Sequence, residues 1–191
     1  MTHRPRLAGG TGNDKWWYAL RAYLYLGFFL FVVSAVAAGM LAGVYLFTAP
    51  KIAAQKALET ERALTELLPA AQTFHRLDET TWVASKEGRE IGRVYLEKPV
   101  GYAGPIEILT AINTKLRVAG VKILSMTETP GLGTKAFSPQ FLGQFVGKSV
   151  KDPIKPKEDI DAITGATITS RAVCKGVKSA LKKQPTKQPQ L

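Results

Sequence analysis

The sequence predicts an α+β protein, in which one N-terminal transmembrane helix precedes a single domain with an antiparallel sheet and flanking helices. Three features predict this class. A long apolar segment occupies residues 22–50, short β-branched and aromatic runs fill residues 71–126, and a helical apolar period returns after residue 166. With 46% hydrophobic and 21% charged residues, the composition is that of a globular protein and excludes extensive disorder or a collagen-like structure.

The apolar segment at residues 22–50 is long enough to cross a membrane once. It contains no Asp, Glu, Lys, Arg or His. As a helix rising about 1.5 Å per residue it would be roughly 43 Å long, more than the ~30 Å hydrocarbon core of a bilayer. A signal peptide is the main alternative, but its apolar region would be only about 7–15 residues long. Aromatic residues lie at both ends, as in membrane-interface belts: Trp16, Trp17, Tyr18, Tyr23, Tyr25, Tyr45 and Phe47.

The basic residues on either side of this segment predict its orientation. Four precede it (Arg4, Arg6, Lys15 and Arg21), and three lie in the next 20 residues (Lys51, Lys56 and Arg62). The excess places the N-terminus in the cytoplasm and the domain on the outer, periplasmic side of the cell inner membrane.

The net charge of +11 is concentrated towards the C-terminus, where residues 171–191 contain no acidic residue. A domain outside the cytoplasm meets no nucleic acid, so we expect these cations to be solvated or to contact anionic lipid. The chain has one cysteine, Cys174, and two histidines, His3 and His75. These numbers exclude an intramolecular disulfide and a cysteine-based iron–sulfur site, and they argue against any metal centre.

The elements follow in order from the patterns. Residues 51–70 have apolar side chains at helical intervals and predict an amphipathic helix that continues or bends away from the transmembrane helix. Residues 71–126 predict five strands in a meander, and TETPGLGT at 127–134 predicts a loop. A short helix is expected within 138–148 and a last helix at about 167–183, where the apolar residues form one stripe.

The predicted organisation therefore has five parts. They are a cytoplasmic tail (1–21), a transmembrane helix (22–50), a connecting helix (51–70), an extracytoplasmic domain (71–183) and a basic disordered tail (184–191).

Hydroxyl side chains crowd the start of the last predicted helix, in DAITGATITSRAV at 161–173. Free backbone N–H groups and the positive end of the helix dipole gather there and favour an anion such as phosphate. The small residues Gly165 and Ala166 would let the backbone approach a ligand. The alternative is that a hydroxyl only caps the helix, and the candidates are Thr164, Thr167, Thr169 and Ser170.

Three separated motifs resemble those of the FMN-binding domain family. D-A-I-T-G-A-T at 161–167 resembles its flavinylation motif, with Thr164 in place of the more frequent Ser. ETPGLG at 128–133 is similar to its second signature, and GYAGPI at 101–106 to its GYGGPI turn, with Ala103 where Gly is common. Over about residues 20–185 the chain resembles the G subunits of Rnf electron-transport complexes. The C subunits of sodium-pumping NADH:quinone reductases, which are generally longer, are the alternative.

The resemblance implies a site and a cofactor. Thr167 would carry FMN covalently through a phosphoester, and Asp161 would be recognised by a flavin transferase that uses FAD as donor. The residues that would shape the phosphate end are Thr164, Gly165 and Ala166, and those that would lie against the flavin ring are Glu128, Thr129, Leu132 and Gly133.

The resemblance also implies a role and partners. The chain would carry electrons at the outer membrane face, between flavin or iron–sulfur centres of other Rnf subunits, in a machine that couples ferredoxin and NAD to Na⁺ or H⁺ transport. It has no G-x-G-x-x-G motif for NAD, and we do not expect it to be catalytic alone. The other functional classes are an extracytoplasmic flavin reductase that keeps Thr167, and a non-redox, membrane-anchored assembly or binding protein.

Overall fold

The computed structural model describes residues 14–185. The chain divides into two compact units, Met1–Ala54 and Gln55–Leu191. Most of the predicted cytoplasmic tail (1–21) and most of the predicted basic tail (184–191) lie outside the described residues.

Helix α1 (Asp14–Leu67) contains the predicted transmembrane segment (22–50) and most of the predicted connecting helix (51–70), and it ends three residues before the predicted end. The helix is continuous through Pro50 and begins eight residues before residue 22. Its part from Trp16 onward is long and apolar enough to cross a membrane, judged by length and composition. The part of α1 that belongs to the first unit exposes large apolar side chains, for example Phe28 at 66% and Leu41 at 74%. Such a surface needs a lipid environment, since water would not solvate it favourably.

The five strands form one antiparallel sheet in the order β1-β2-β3-β4-β5, which confirms the predicted meander. The strands are β1 (Thr73–Arg76), β2 (Thr81–Lys86), β3 (Arg89–Glu97), β4 (Ile106–Asn113) and β5 (Val118–Met126). Each strand pairs with the next one along the chain, so short turns suffice to connect them.

The sheet is covered on both faces, and strand β4 is buried on both. Ile108 and Ile112 of β4 belong to the core on one face, whereas Leu109 and Ala111 belong to the core on the other. This alternation follows from the period of two along a strand, and it explains why β4 reads as a nearly continuous apolar run. The C-terminal end of α1 covers the second face through Ala63, Leu64 and Leu68, the last of which follows the helix directly.

Within the described part of the chain, three helical segments follow the sheet. A 3₁₀ helix (Gly133–Phe137) leads into α2 (Pro139–Gly143), and Ser138 caps α2 by accepting a hydrogen bond from the Phe141 N–H. Helix α3 (Thr167–Lys183) has the predicted bounds. It packs its apolar stripe on the first face of the sheet through Val173, Val177, Ala180 and Leu181. The start of α3 is thereby fixed beside the loops that follow β3 and β5.

Candidate functional site

Some hydroxyl groups at the start of α3 form hydrogen bonds within the protein, and others do not. The N-cap residue of the helix is Ala166, and no side chain caps it, so the interpretation as capping hydroxyls is wrong. The Ser170 hydroxyl donates to the Ala166 carbonyl (3.0 Å) and accepts from the Ile163 N–H (3.0 Å). The Thr169 hydroxyl is buried and also bonded. Thr167 is exposed, and its hydroxyl has no partner within the described part of the chain.

Glu128 joins the first two sequence motifs to the start of α3, just after the third motif, through one buried carboxylate. Its Oε1 accepts hydrogen bonds from the backbone N–H groups of Tyr102 (2.7 Å) and Ala103 (3.3 Å) in the GYAGPI turn. Its Oε2 accepts a hydrogen bond of 2.8 Å from Thr169 in the first turn of α3. The residue is only 6% exposed. Glu128 therefore holds together a turn, its own loop and a helix end that lie far apart in the sequence.

Two glycines allow these segments to approach closely. A Cβ on Gly133 would lie 2.5 Å from the Cβ of Glu128, which no real side chain tolerates. Gly165 has a φ of +79°, a left-handed conformation that favours glycine, and a Cβ there would lie 3.1 Å from Leu132. Both glycines of the predicted site are thus required by the backbone path.

A cavity of about 480 Å³ opens where the three motifs meet. Its size is within the range of small-molecule and cofactor sites, about 300–1,000 Å³. It contains most of the predicted cofactor-binding residues and both apolar and hydroxyl side chains. The lining residues are Tyr102, Glu128, Thr129, Leu132, Gly133, Gly165, Ala166, Thr167, Ile168 and Thr169.

Two of the predicted site residues lie outside this lining. Thr164 is exposed in the turn that precedes Gly165. Asp161 lies beside a different cavity, its side chain exposed and its N–H donating to Gln144 Oε1 at 2.7 Å. An exposed carboxylate six residues before Thr167 is accessible to another protein, but it does not line the cavity.

Several residues around Thr167 were not among the site residues predicted from the sequence. Tyr102 and Ile168 line the cavity, and both are exposed apolar side chains at its edge. Tyr102 lies inside the GYAGPI motif, so the motif itself was a signal for it. On another side of Thr167, a smaller cavity of about 260 Å³ is lined by basic residues of α3 and of the loop before Asp161. That loop has no periodicity from which its position could be predicted.

Other features of the domain lie away from this site. A larger cavity of about 640 Å³ lies between α1 and the strands β1 to β3, where Arg76 stacks over Trp82 at 5.7 Å, and it contains none of the predicted site residues. Among residues 14–185, no group of His, Cys, Asp and Glu side chains could hold a metal ion. Cys174 is buried, and burial raises the pKa of its thiol to about 12.

Comparison with known proteins identifies the class of domain. Residues 101–182 match the family model of the FMN-binding domain, and residues 20–67 match that of the RnfG N-terminal region. The fold and the cavity thus belong to an FMN-binding protein with an N-terminal apolar helix.

Relatives of the whole chain narrow this class. The G subunit of the proton-translocating ferredoxin:NAD(+) oxidoreductase complex of Clostridium ljungdahlii is 38% identical over 156 residues, which cover 77% of this chain and 83% of the relative. The corresponding G subunit of the Na(+)-translocating complex of Acetobacterium woodii is 35% identical over 184 residues, covering 82% and 88%. The chain belongs to the family of G subunits of ion-translocating oxidoreductase complexes, which confirms the resemblance found in the sequence.

A solved structure also resembles the domain. The crystal structure of NqrC from Shewanella oneidensis matches with a TM-score of 0.46 and 19% sequence identity, over 59% of this chain and 66% of that chain.

Proposed function

We propose that this chain is a membrane-anchored electron-carrier subunit with covalently bound FMN, within an ion-translocating ferredoxin:NAD(+) oxidoreductase complex. One observation carries the proposal: the free hydroxyl of Thr167 lies at the edge of a cofactor-sized cavity built from the three motifs of an FMN-binding domain. FMN supplies one- and two-electron redox chemistry, and the protein supplies binding, orientation and electrostatics.

The residues present fit an FMN group attached at Thr167. Leu132, Ile168 and Tyr102 provide apolar surface for a flavin ring, and all three line the cavity. The start of α3 has unsatisfied backbone N–H groups and the positive end of the helix dipole, which favour a phosphate beside Thr167. The small residues Gly165 and Ala166 leave room for that phosphate. In this proposal Glu128, Thr129 and Gly133 form part of the cavity wall beside the flavin, and Thr164 lies outside the lining, in the turn before Gly165.

Attachment requires a second protein, because a threonine hydroxyl is a weak nucleophile without activation. In the proposed step a flavin transferase uses FAD as donor. The Thr167 oxygen forms a bond to the phosphorus of the FMN half, the P–O–P bond of FAD breaks, AMP leaves, and the hydroxyl proton passes to a base of the transferase. The exposed Asp161 is the residue that we assign to recognition by the transferase.

The proposed topology explains why attachment is covalent. With residues 1–21 in the cytoplasm and 22–50 in the membrane, the FMN-binding domain at 71–183 is periplasmic, where no FMN pool would refill an emptied site. A tether keeps the local concentration on the order of millimolar. The domain passes electrons between flavin or iron–sulfur centres of neighbouring subunits, while lipid surrounds the anchor and contacts the basic C-terminal tail.

The mass of the protein tests the proposal. The full chain is co-expressed with a flavin transferase, denatured in acid, and measured by intact mass spectrometry and peptide mapping. We expect the mass of FMN on the peptide that contains Thr167, loss of that mass in Thr167→Val, and partial retention in Thr167→Ser, which keeps a hydroxyl. The matched control is Thr73→Val, an exposed threonine of β1 that should leave the modification unchanged. An unmodified wild-type protein, or a modified Thr167→Val variant, would refute the assignment.

A further inference from the structure

Thr167 lies at the edge of two cavities, and the second one is basic. This cavity has a volume of about 260 Å³ and is lined by Lys155, Pro156, Lys157, Thr167 and Arg171. Three of the five lining residues carry a positive charge, and none is acidic. Arg171 follows Thr167 by four residues on α3, so the two side chains lie on the same side of the helix.

Most of this positive charge is not neutralised by the protein. The Lys155 ammonium pairs with Glu158 at 3.0 Å, but both side chains are more than half exposed, and such a pair is weak in water. The side chains of Lys157 and Arg171 have no ion pair or hydrogen bond within the described residues. Like charges brought together repel one another, and an anion between them would relieve the repulsion.

The loop that carries the two lysines is held in a defined shape. Asp159 accepts hydrogen bonds from the backbone N–H groups of Ile154 (3.1 Å) and Lys155 (2.8 Å) and pairs with the Lys148 ammonium at 2.9 Å. Burial opposes ionisation of this carboxyl, but the hydrogen bonds outweigh burial and lower its pKa below the ordinary value. Ile154 and Lys157 both have positive φ values, 46° and 70°, which cost free energy for residues with a Cβ. The lysines are therefore presented by an organised loop.

We propose that Lys155, Lys157 and Arg171 form the site for the phosphodiester of the flavin attached to Thr167. This inference rests on the proposed function and deepens it, because it assigns the two cavities to different parts of one group. The first cavity, with its apolar walls, takes the flavin ring. The basic cavity takes the singly charged phosphodiester, and the Thr167 ester oxygen lies at the border between the two.

The site has a consequence for the attached flavin. A phosphodiester bonded only through the threonine oxygen would rotate freely about the side-chain bonds. Charge-assisted contacts to Lys157 and Arg171 would fix it on one side of the helix start. The cations are thus positioning residues, which restrict the tether and through it the ring.

The first arm of the test measures mobility in the flavinylated full chain. Lys157→Gln, Arg171→Gln and the double variant are compared with Lys175→Gln, a control that removes an exposed charge one turn further along α3, outside the cavity. The readouts are ³¹P resonance position and flavin fluorescence anisotropy, with intact mass measured on the same sample. We expect lower anisotropy and a shifted ³¹P resonance in the double variant, smaller changes in each single variant and no change in Lys175→Gln. Added salt should produce the same change in the wild type, because it screens the charges.

The second arm does not need the flavin. The full chain expressed without the transferase is titrated with inorganic phosphate, and binding is followed by ³¹P line broadening. We expect the double variant to bind at least about tenfold more weakly, with Lys175→Gln unchanged. If the variants do not receive FMN, this titration alone tests the proposed phosphodiester site. Equal phosphate binding by wild type and double variant would overturn the inference even if Thr167 carries FMN, whereas absence of FMN from the wild type would instead refute the proposed function.

Discussion

Replacing Glu128 should weaken the connection between the three segments that surround the cavity, which are the GYAGPI turn, the loop of Glu128 and the first turn of α3. Its carboxylate accepts two backbone hydrogen bonds from the turn at Tyr102 and Ala103 and one from the Thr169 hydroxyl. Glu128→Ala removes both acceptor oxygens and with them all three hydrogen bonds, whereas Glu128→Gln keeps the shape and most of the hydrogen-bonding capacity. The two variants therefore separate the loss of the hydrogen bonds from the loss of charge.

The expected loss of stability follows from the three hydrogen bonds. A buried donor left without a partner costs about 1–3 kcal/mol. The Ala103 bond is long at 3.3 Å, and Tyr102 is 71% exposed, so water can replace part of what the turn loses. Thr169 is 1% exposed and has no such replacement. We expect Glu128→Ala to lower the free energy of unfolding by roughly 2–4 kcal/mol, and Glu128→Gln by about 1 kcal/mol or less.

The assay is urea unfolding of the full chain in detergent, combined with hydrogen exchange followed by mass spectrometry. Exchange should accelerate in residues 101–105 and in the first turn of α3, with little change in β4. Thr169→Val removes one of the three hydrogen bonds. A double-mutant cycle of Thr169→Val and Glu128→Ala should give a coupling free energy of about 1 kcal/mol or more. If the free energy of unfolding of Glu128→Ala is within about 0.5 kcal/mol of the wild-type value, the carboxylate does not hold the three segments together.

Of three further predictions, two concern the buried thiol of Cys174 and one concerns the membrane topology. Because burial raises the pKa of Cys174 to about 12, iodoacetamide at pH 8 should label the urea-unfolded protein but not the native one, as read by mass; equal labelling would contradict its burial. Above pH 9 the unfolded chain loses the thiol proton first, so stability should fall as pH rises towards 12, and Cys174→Ala should reduce that fall. An alkaline phosphatase fused after residue 185 should be active in the periplasm, whereas a fusion before residue 14 should be inactive; the reverse pattern would refute the proposed orientation.

The sheet and the last helix could be predicted because their signals are local. Each strand is a short apolar run bounded by turn residues, and the stripe of Val173, Val177 and Leu181 set the bounds of α3. The continuity of α1 through Pro50 could not be predicted, because proline usually ends or kinks a helix. Whether a helix continues through a proline depends on the residues around it.

The composition of the site was predictable from motifs, but the roles of its residues were not. Thr169 binds Glu128 across 41 residues of sequence, and no local pattern reports that pairing. The same limit explains why Glu128, assigned to the flavin ring, also holds the surrounding loops together. Lys155 and Lys157 were missed because Asp159 sets the loop that brings them to Thr167.

Two threonines only two positions apart at the start of α3 face in opposite directions. A step of two residues turns a helix by about 200°, so Thr169 points into the protein while Thr167 points out of it. An enzyme that meets the folded domain from solvent can reach only the outward hydroxyl of the pair. The proposed choice of Thr167 over Thr169 thus follows from the helical geometry, and deleting Ile168 would change the relative directions of the two hydroxyls without removing either.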